Sequence, residues 1–347
     1  VSGPDQLRRA RLQARAFARL RHHSQERLMT FNILFRGQVF GAEVTDLARR
    51  KGLTFSHVPD DAALFARLPD ADVLWITPSC YNAPVAKALC ENPHKLKWLA
   101  LTSSGYDVLT RFGAPASVQL TYAAGVHAPT VAEHGIAQLL CLLRRFPPAL
   151  DAQKQGRWIA ATLIPSLRAM EDLKICVIGL GPIGQQLVRK LNVLAREVTA
   201  VTRTGRPYAD IAVSKFEDLD HVLPTVDAVF IATPLTDKTR NMFDSRRIAL
   251  MRPGSYLVNV ARGPMVESGA LVAALRSGAL AGAALDVTDP EPLPEDHALW
   301  SAPNLLITPH VAAFGSIATG ARLSDHLDRN LQRLANHEPL EGLIASL

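Results

Sequence analysis

Six residues, Gly179-Leu-Gly181-Pro-Ile-Gly184, constrain this chain more than any others. They follow at once on an apolar run over 173–178. They open into a helical pattern with Ile183, Leu187 and Leu191 on one side. Gly179 suits a tight turn, Gly181 lets the backbone approach a pyrophosphate, and Gly184 allows close packing of helix on strand. Pro182 fits a first helical turn. The helix N-terminus then offers N–H groups and a positive dipole end to phosphate oxygens. The pattern predicts a dinucleotide-binding strand–turn–helix in which Gly179, Gly181, Pro182, Ile183 and Gly184 touch the cofactor.

Similar alternation extends along the chain. Strand-like runs at 31–35, 73–77, 97–102, 173–178, 198–202, 228–233, 256–260, 281–287 and 305–308 are separated by helical patterns such as 130–145, 182–193, 268–277 and 316–336. Strands alternating with helices predict parallel sheets. Uninterrupted apolar runs such as Ala228-Val-Phe-Ile-Ala232 predict strands covered on both faces. At 347 residues and 48% hydrophobic, the chain is long enough for about two domains with real cores. The fold class expected is α/β, with two doubly wound, Rossmann-like parallel-sheet domains and a cleft between them.

The net charge of +6 is concentrated at one end. Residues 1–28 carry seven Arg against Asp5 and Glu26, so the remainder is nearly neutral and predicts no nucleic-acid partner. This segment is expected to be an unstructured extension upstream of a natural start at Met29. Its Arg-rich helical pattern also fits a transit peptide or a membrane-surface helix. No apolar run is long enough to span a bilayer, so no membrane partner is expected. The four cysteines form no C-x-x-C pair, which argues for a reducing, cytoplasmic setting. His127 and Glu133-His134 lack the spacing of H-E-x-x-H, and no metal is expected.

The strand after the glycine turn ends in Thr202-Arg203-Thr204. An NAD pocket places Asp or Glu there to hold the ribose 2′-OH, whereas Arg accommodates a 2′-phosphate. Glu197 lies at the other end of that strand. NADP(H) is therefore the expected cofactor, held by Thr202, Arg203 and Thr204, with NAD(H) as the alternative.

Three later segments end apolar runs with reactive side chains: Asn259-Val-Ala-Arg262-Gly, Asp289-Pro-Glu291-Pro and Thr308-Pro-His310. Ligands of open α/β sheets bind outside the carboxyl ends of the strands. With these motifs the chain closely resembles the D-isomer-specific 2-hydroxyacid dehydrogenases, from about Met29 onward and most specifically from Gly179 to His310. Thr102-Ser-Ser-Gly105-Tyr-Asp107 resembles the family's substrate loop, and Val131-Ala-Glu-His134 the start of its interdomain helix.

The resemblance implies a substrate-binding domain over 29–126 and 312–347 and a dinucleotide-binding domain over 127–311. It also implies cofactor contacts from Thr233, Ala261 and Asp286, and a substrate carboxylate held by Ser104, Gly105 and Arg262. Catalysis would rest on Arg262, Glu291 and His310. His310 suits a general acid because imidazole titrates near neutrality, Glu291 would favour its charged form, and the Arg262 fork suits a carboxylate. The activity implied is NAD(P)H-dependent reduction of a small 2-oxo acid, such as glyoxylate or hydroxypyruvate, to the D-2-hydroxy acid. The alternatives are a dinucleotide-sensing corepressor-type binding protein and a short phosphoglycerate or phosphite dehydrogenase. Formate dehydrogenases carry Gln where this chain has Glu291. Tyr81 and Tyr106 are expected to line the substrate pocket. A homodimer is expected through the cofactor domain and the apolar helix over 130–143.

Overall fold

The computed structural model describes residues 31–344; the expectations for residues 1–28 lie outside that range. The chain divides into two compact units, with boundaries between His127 and Ala128 and between Gly315 and Ser316.

The first unit holds a five-stranded sheet of β1 (Asn32–Arg36), β2 (Thr54–His57), β3 (Val73–Ile76), β4 (Trp98–Leu101) and β5 (Gln119–Tyr122) in the order β2-β1-β3-β4-β5. All pairings are parallel, with Ile33 opposite Val73 and Val73 opposite Trp98. Alternate residues of each strand feed opposite cores. Leu34, Leu74, Ile76, Leu99 and Leu101 pack on one face; Ile33, Phe35, Val73, Trp75, Trp98 and Ala100 pack on the other. The Ile317–Ala335 helix returns to this second face, where Leu323, Leu327, Leu331 and Leu334 are buried at helical spacing.

The second unit holds seven parallel strands: β6 (Lys174–Ile178), β7 (Glu197–Thr202), β8 (Ala212–Lys215), β9 (Ala228–Ile231), β10 (Ser255–Asn259), β11 (Leu280–Leu285) and β12 (Leu305–Ile307). Their order is β12-β11-β10-β9-β6-β7-β8. Again Cys176 and Ile178 face one core while Ile175 and Val177 face the other. The chain reverses direction across the sheet between β6 and β9, and such a switch opens a ligand crevice beyond the strand ends. Gly179 follows β6 and Thr233 follows β9 at that point.

Three strands, β2, β5 and β8, have no counterpart among the runs read from the sequence. All three are sheet edges. β2 and β8 have no fully buried residue, so neither carries the apolar signature of a covered strand. No helix among the described residues is long and apolar enough to cross a membrane.

Candidate active site

Arg262, Glu291 and His310 all lie in the second unit, beyond the carboxyl ends of its strands. Arg262 stands three residues past β10. Asn259, the last residue of β10 and fully buried, shapes that exit. Its Oδ1 accepts the Ala261 N–H at 3.0 Å and its Nδ2 donates to the Arg262 carbonyl at 2.9 Å. Arg262 Nη1 in turn donates to the Ala261 carbonyl at 2.6 Å.

Glu291 sits in the acidic, Pro-rich loop after β11. Its Oε1 accepts the Thr288 N–H at 3.0 Å, and its Oε2 lies 2.9 Å from His310 Nδ1. A carboxylate can only accept, so Nδ1 carries a proton and the opposite nitrogen, Nε2, is turned away from Glu291. The two side chains are 49% (His310) and 38% (Glu291) exposed, which leaves the imidazole reachable by a small molecule. The hydrogen bond to Glu291 raises the His310 pKa above its usual value, and it outweighs the opposing effects of burial and of the Arg262 charge. For Glu291 burial pushes upward, but the His310 and Thr288 hydrogen bonds together win and hold the carboxyl below its ordinary range. Both shifts favour the imidazolium–carboxylate form of the pair.

His310 has a left-handed backbone, with φ +54°. Its N–H is held by the Asp286 carbonyl at 2.8 Å. The Asp286 carboxylate, 2% exposed, accepts the N–H groups of Val311 (Oδ1, 3.1 Å) and Ala312 (Oδ2, 3.1 Å) and the Thr308 hydroxyl (Oδ1, 2.6 Å). The sequence reading places Asp286 among the cofactor contacts; in the structure its two carboxylate oxygens accept hydrogen bonds from the loop that bears His310.

Residues 136–312 match the family described as D-isomer specific 2-hydroxyacid dehydrogenase, NAD binding domain. The chain belongs to the D-isomer-specific 2-hydroxyacid dehydrogenases, a family of oxidoreductases. It is 32% identical to a mitochondrial formate dehydrogenase of Solanum tuberosum over 292 residues, covering 80% of this chain and 76% of that one. It is 33% identical to a glyoxylate reductase of Thermofilum pendens over 259 residues, covering 72% and 75%. A crystal structure of a family member from Aeromonas salmonicida superposes with a TM-score of 0.80 at 29% identity, covering 91% of this chain and 99% of that one.

The dinucleotide turn has the build this family's cofactor requires. Gly179 adopts φ +98°, and a Cβ there would sit 2.5 Å from the Ala232 carbonyl oxygen. A Cβ on Gly184 would collide with the Gly179 carbonyl, so the turn can form only with glycine at both places. A Cβ on Gly181 would meet nothing within 4 Å. Packing within the chain does not demand that glycine, and in such turns it is the position a pyrophosphate approaches. Gly181 caps the Pro182–Leu191 helix, whose first N–H groups belong to Ile183 and Gly184. Thr233 lies just past β9 and Ala261 just past β10, where it immediately precedes Arg262.

Thr202 is the last residue of β7, and its Oγ1 accepts the Gly205 N–H at 2.9 Å. The hydroxyl hydrogen of Thr202 stays available to an anion. Arg203 and Thr204 are exposed beside it. Glu197, at the amino end of β7, pairs with Lys174 at 3.0 Å.

Ser104 and Gly105 belong to the first unit, in the turn after β4, where Ser103 Oγ donates to the Gly105 carbonyl at 2.8 Å and Ser104 Oγ to the Ala123 carbonyl at 3.4 Å. Tyr106 is partly exposed there, 5.3 Å from the Tyr122 ring. Tyr81 does not line a pocket. It is 2% exposed inside the core, with its hydroxyl on the Gly113 carbonyl at 2.7 Å.

The sequence reading missed Asn259 as the residue that shapes the Arg262 turn, and the contacts of Thr308. Asn259 had a visible signal, an amide at the end of a strand that is otherwise apolar.

Proposed function

We propose that this dehydrogenase reduces a small 2-oxo acid to the D-2-hydroxy acid and prefers NADPH to NADH. The observation that carries the reading is the His310–Glu291 pair. When bound, the dinucleotide supplies the hydride. Negative charge then builds on the substrate's carbonyl oxygen, and the imidazolium held by Glu291 is the acid that can neutralise it. Arg262 carries a guanidinium, a group whose forked N–H geometry suits the carboxylate of a 2-oxo acid and is a weaker match for a neutral carbonyl compound.

The curated relatives include both glyoxylate reductases and formate dehydrogenases. Formate releases its hydride to leave carbon dioxide, and no proton moves to or from a carbonyl oxygen. A histidine raised by a carboxylate has no task in that reaction. The pair therefore favours 2-oxo acid reduction. NADPH preference rests on Thr202 and Arg203, which stand where a carboxylate would repel a 2′-phosphate.

A homodimer belongs to the same proposal. Phe146, Leu150, Trp158 and Ile164 are all more than half exposed along one stretch of the second unit, a concentration of apolar surface that a second copy would cover. Sedimentation at micromolar concentration tests it, and a monomer there rejects it.

The deciding experiment is a panel: glyoxylate, hydroxypyruvate and pyruvate with NADPH and with NADH, and formate, phosphite and 3-phosphoglycerate with the oxidised cofactors. Reduction of a 2-oxo acid with NADPH is expected. Oxidation of formate, phosphite or 3-phosphoglycerate with no 2-oxo acid reduced would overturn the proposal.

A further inference from the structure

We infer that Gln138 and His134, acting through Thr308 and Asp286, are positioning residues that seat His310 for proton transfer. The inference rests on the reading of His310 above and extends it to side chains from the Ala128–Leu143 helix.

Three successive N–H groups, those of His310, Val311 and Ala312, converge on Asp286. This winding puts His310 at φ +54°. A left-handed conformation is unfavourable for a residue that carries a Cβ and persists only where its surroundings hold it there. Asp286 must therefore be held firmly itself. Thr308 does so with the shortest bond in the cluster, Oγ1 to Oδ1 at 2.6 Å.

A hydroxyl has one hydrogen and two lone pairs. Thr308 gives its hydrogen to Asp286. The Gln138 amide nitrogen and His134 Nε2 each lie 2.9 Å from the same Oγ1, so both must donate to it. His134 Nε2 is also 3.3 Å from Asp286 Oδ1, which favours a proton on that nitrogen for a second reason. With both lone pairs filled, the Thr308 hydroxyl has one rotor state, the one aimed at Asp286.

Gln138 has little other reason to be where it is. It is 3% exposed on a helix whose buried neighbours are Ile136, Leu139 and Leu142, and its Oε1 makes no hydrogen bond. Leaving an amide oxygen buried and unpaired is unfavourable, and an apolar residue would avoid it. The one bond the side chain does make runs to Thr308 and onward to the His310 loop.

The charged groups facing His310 are Glu291, Arg262 and Asp286. If the loop loosens, the ring leaves its seat on Glu291, the largest of the influences that raise it. Thr308→Val keeps the shape and removes the hydroxyl, whereas Thr308→Ser restores it. In the full chain, Thr308→Val should lower kcat at least tenfold and leave the KM for NADPH within twofold. It should also move the His310 titration midpoint downward when the imidazole is followed by NMR. Thr308→Ser should return both to near the parent values. A folded Thr308→Val with parent kcat and midpoint overturns the inference. Should that variant fail to fold, Gln138→Leu removes one donor and suits the apolar surroundings. It should lower kcat about threefold or more with the same unchanged KM, and parent kcat there overturns the inference equally. The midpoint and the His134 tautomer are read without substrate. A chain that reduces no 2-oxo acid would sink the proposed function, yet a His134 protonated on Nδ1 alone would still refute the network.

Discussion

Gly263→Ala tests the geometry around Arg262 and Glu291 without altering any charged group. Gly263 follows Arg262, and the loop that bears Glu291 passes directly against it. A Cβ on Gly263 would collide with the Thr288 carbonyl and would stand 2.7 Å from the Asp289 nitrogen, where ordinary contact begins at 3.4 Å. The Asp289 backbone must therefore retreat by at least about 0.7 Å, and the Thr288 carbonyl by more. Thr288 holds Glu291 Oε1 at 3.0 Å, and Glu291 Oε2 holds His310 at 2.9 Å. A retreat of that size carries both bonds beyond useful length. Misplacing a catalytic group by ~1 Å costs on the order of 10²-fold in rate, equivalent to ~2.7 kcal/mol of transition-state stabilisation. Overpacking should also lower stability by about 1–3 kcal/mol. The assay is steady-state loss of reduced-nicotinamide absorbance with the best acid of the panel, beside a melting curve. We expect kcat/KM to fall about 10²-fold in a protein that still folds and still binds dinucleotide. A folded Gly263→Ala with kcat/KM within threefold of the parent refutes the reasoning.

Other substitutions probe the site more directly. His310→Ala should cut kcat by ~10²–10⁴ while dinucleotide affinity, measured by fluorescence titration, stays within a few-fold. Arg203→Ala should narrow the NADPH/NADH ratio of kcat/KM by about ten- to a hundredfold, the worth of one charge-assisted contact, by weakening NADPH alone; equal loss of both cofactors would count against the pocket. Glu291→Gln should move the alkaline limb of the kcat profile to lower pH, because the raised His310 pKa depends first on that carboxylate. The same pair has a stability signature. The His310 contribution is complete below the ordinary histidine pKa and disappears as pH rises through its raised value. The Glu291 contribution is complete above the ordinary carboxylate pKa and disappears as pH falls through its lowered value. The melting-point difference between parent and Glu291→Gln should therefore peak between those limits. It should be small, since surface pairs are worth about 0–1 kcal/mol and both partners are more than a third exposed.

How much was legible in the sequence followed burial and chain proximity. Central strands such as β9 and β10 are covered on both faces and announce themselves as apolar runs. Edge strands β2 and β8 carry mixed surfaces and look like loops. The reactive residues were readable because each sits within a few positions of a strand end, in a motif with its own spacing. Their supports were not. Thr308 meets Gln138 across 170 residues of chain, and Asn259 acts on a turn through its amide alone. No period or local motif encodes such a meeting, although a Gln amid Gly135-Ile-Ala and Leu139-Leu signals that something polar awaits it. Tyr81 was misplaced because an aromatic residue in a strand-end loop looks the same from sequence whether its ring points inward or outward.

The order in which the ribosome releases these parts differs from the order in which they are needed. The unit Ala128–Gly315 is a single stretch of chain, so its seven-stranded sheet can close as soon as that stretch has emerged. The other unit is made first and finished last. β1 through β5 appear early, and Val44 and Leu47 of the Gly41–Lys51 helix cover part of the apolar face formed by Ile33, Phe35, Val73 and Trp75, but the rest of its cover arrives only with Leu323, Leu327 and Leu331. For the whole interval of synthesis between Tyr122 and Ile317, that face is shielded only in part. Nascent chains halted within that interval should engage holdase chaperones through their earliest-made third, and the engagement should end once the closing helix clears the exit tunnel.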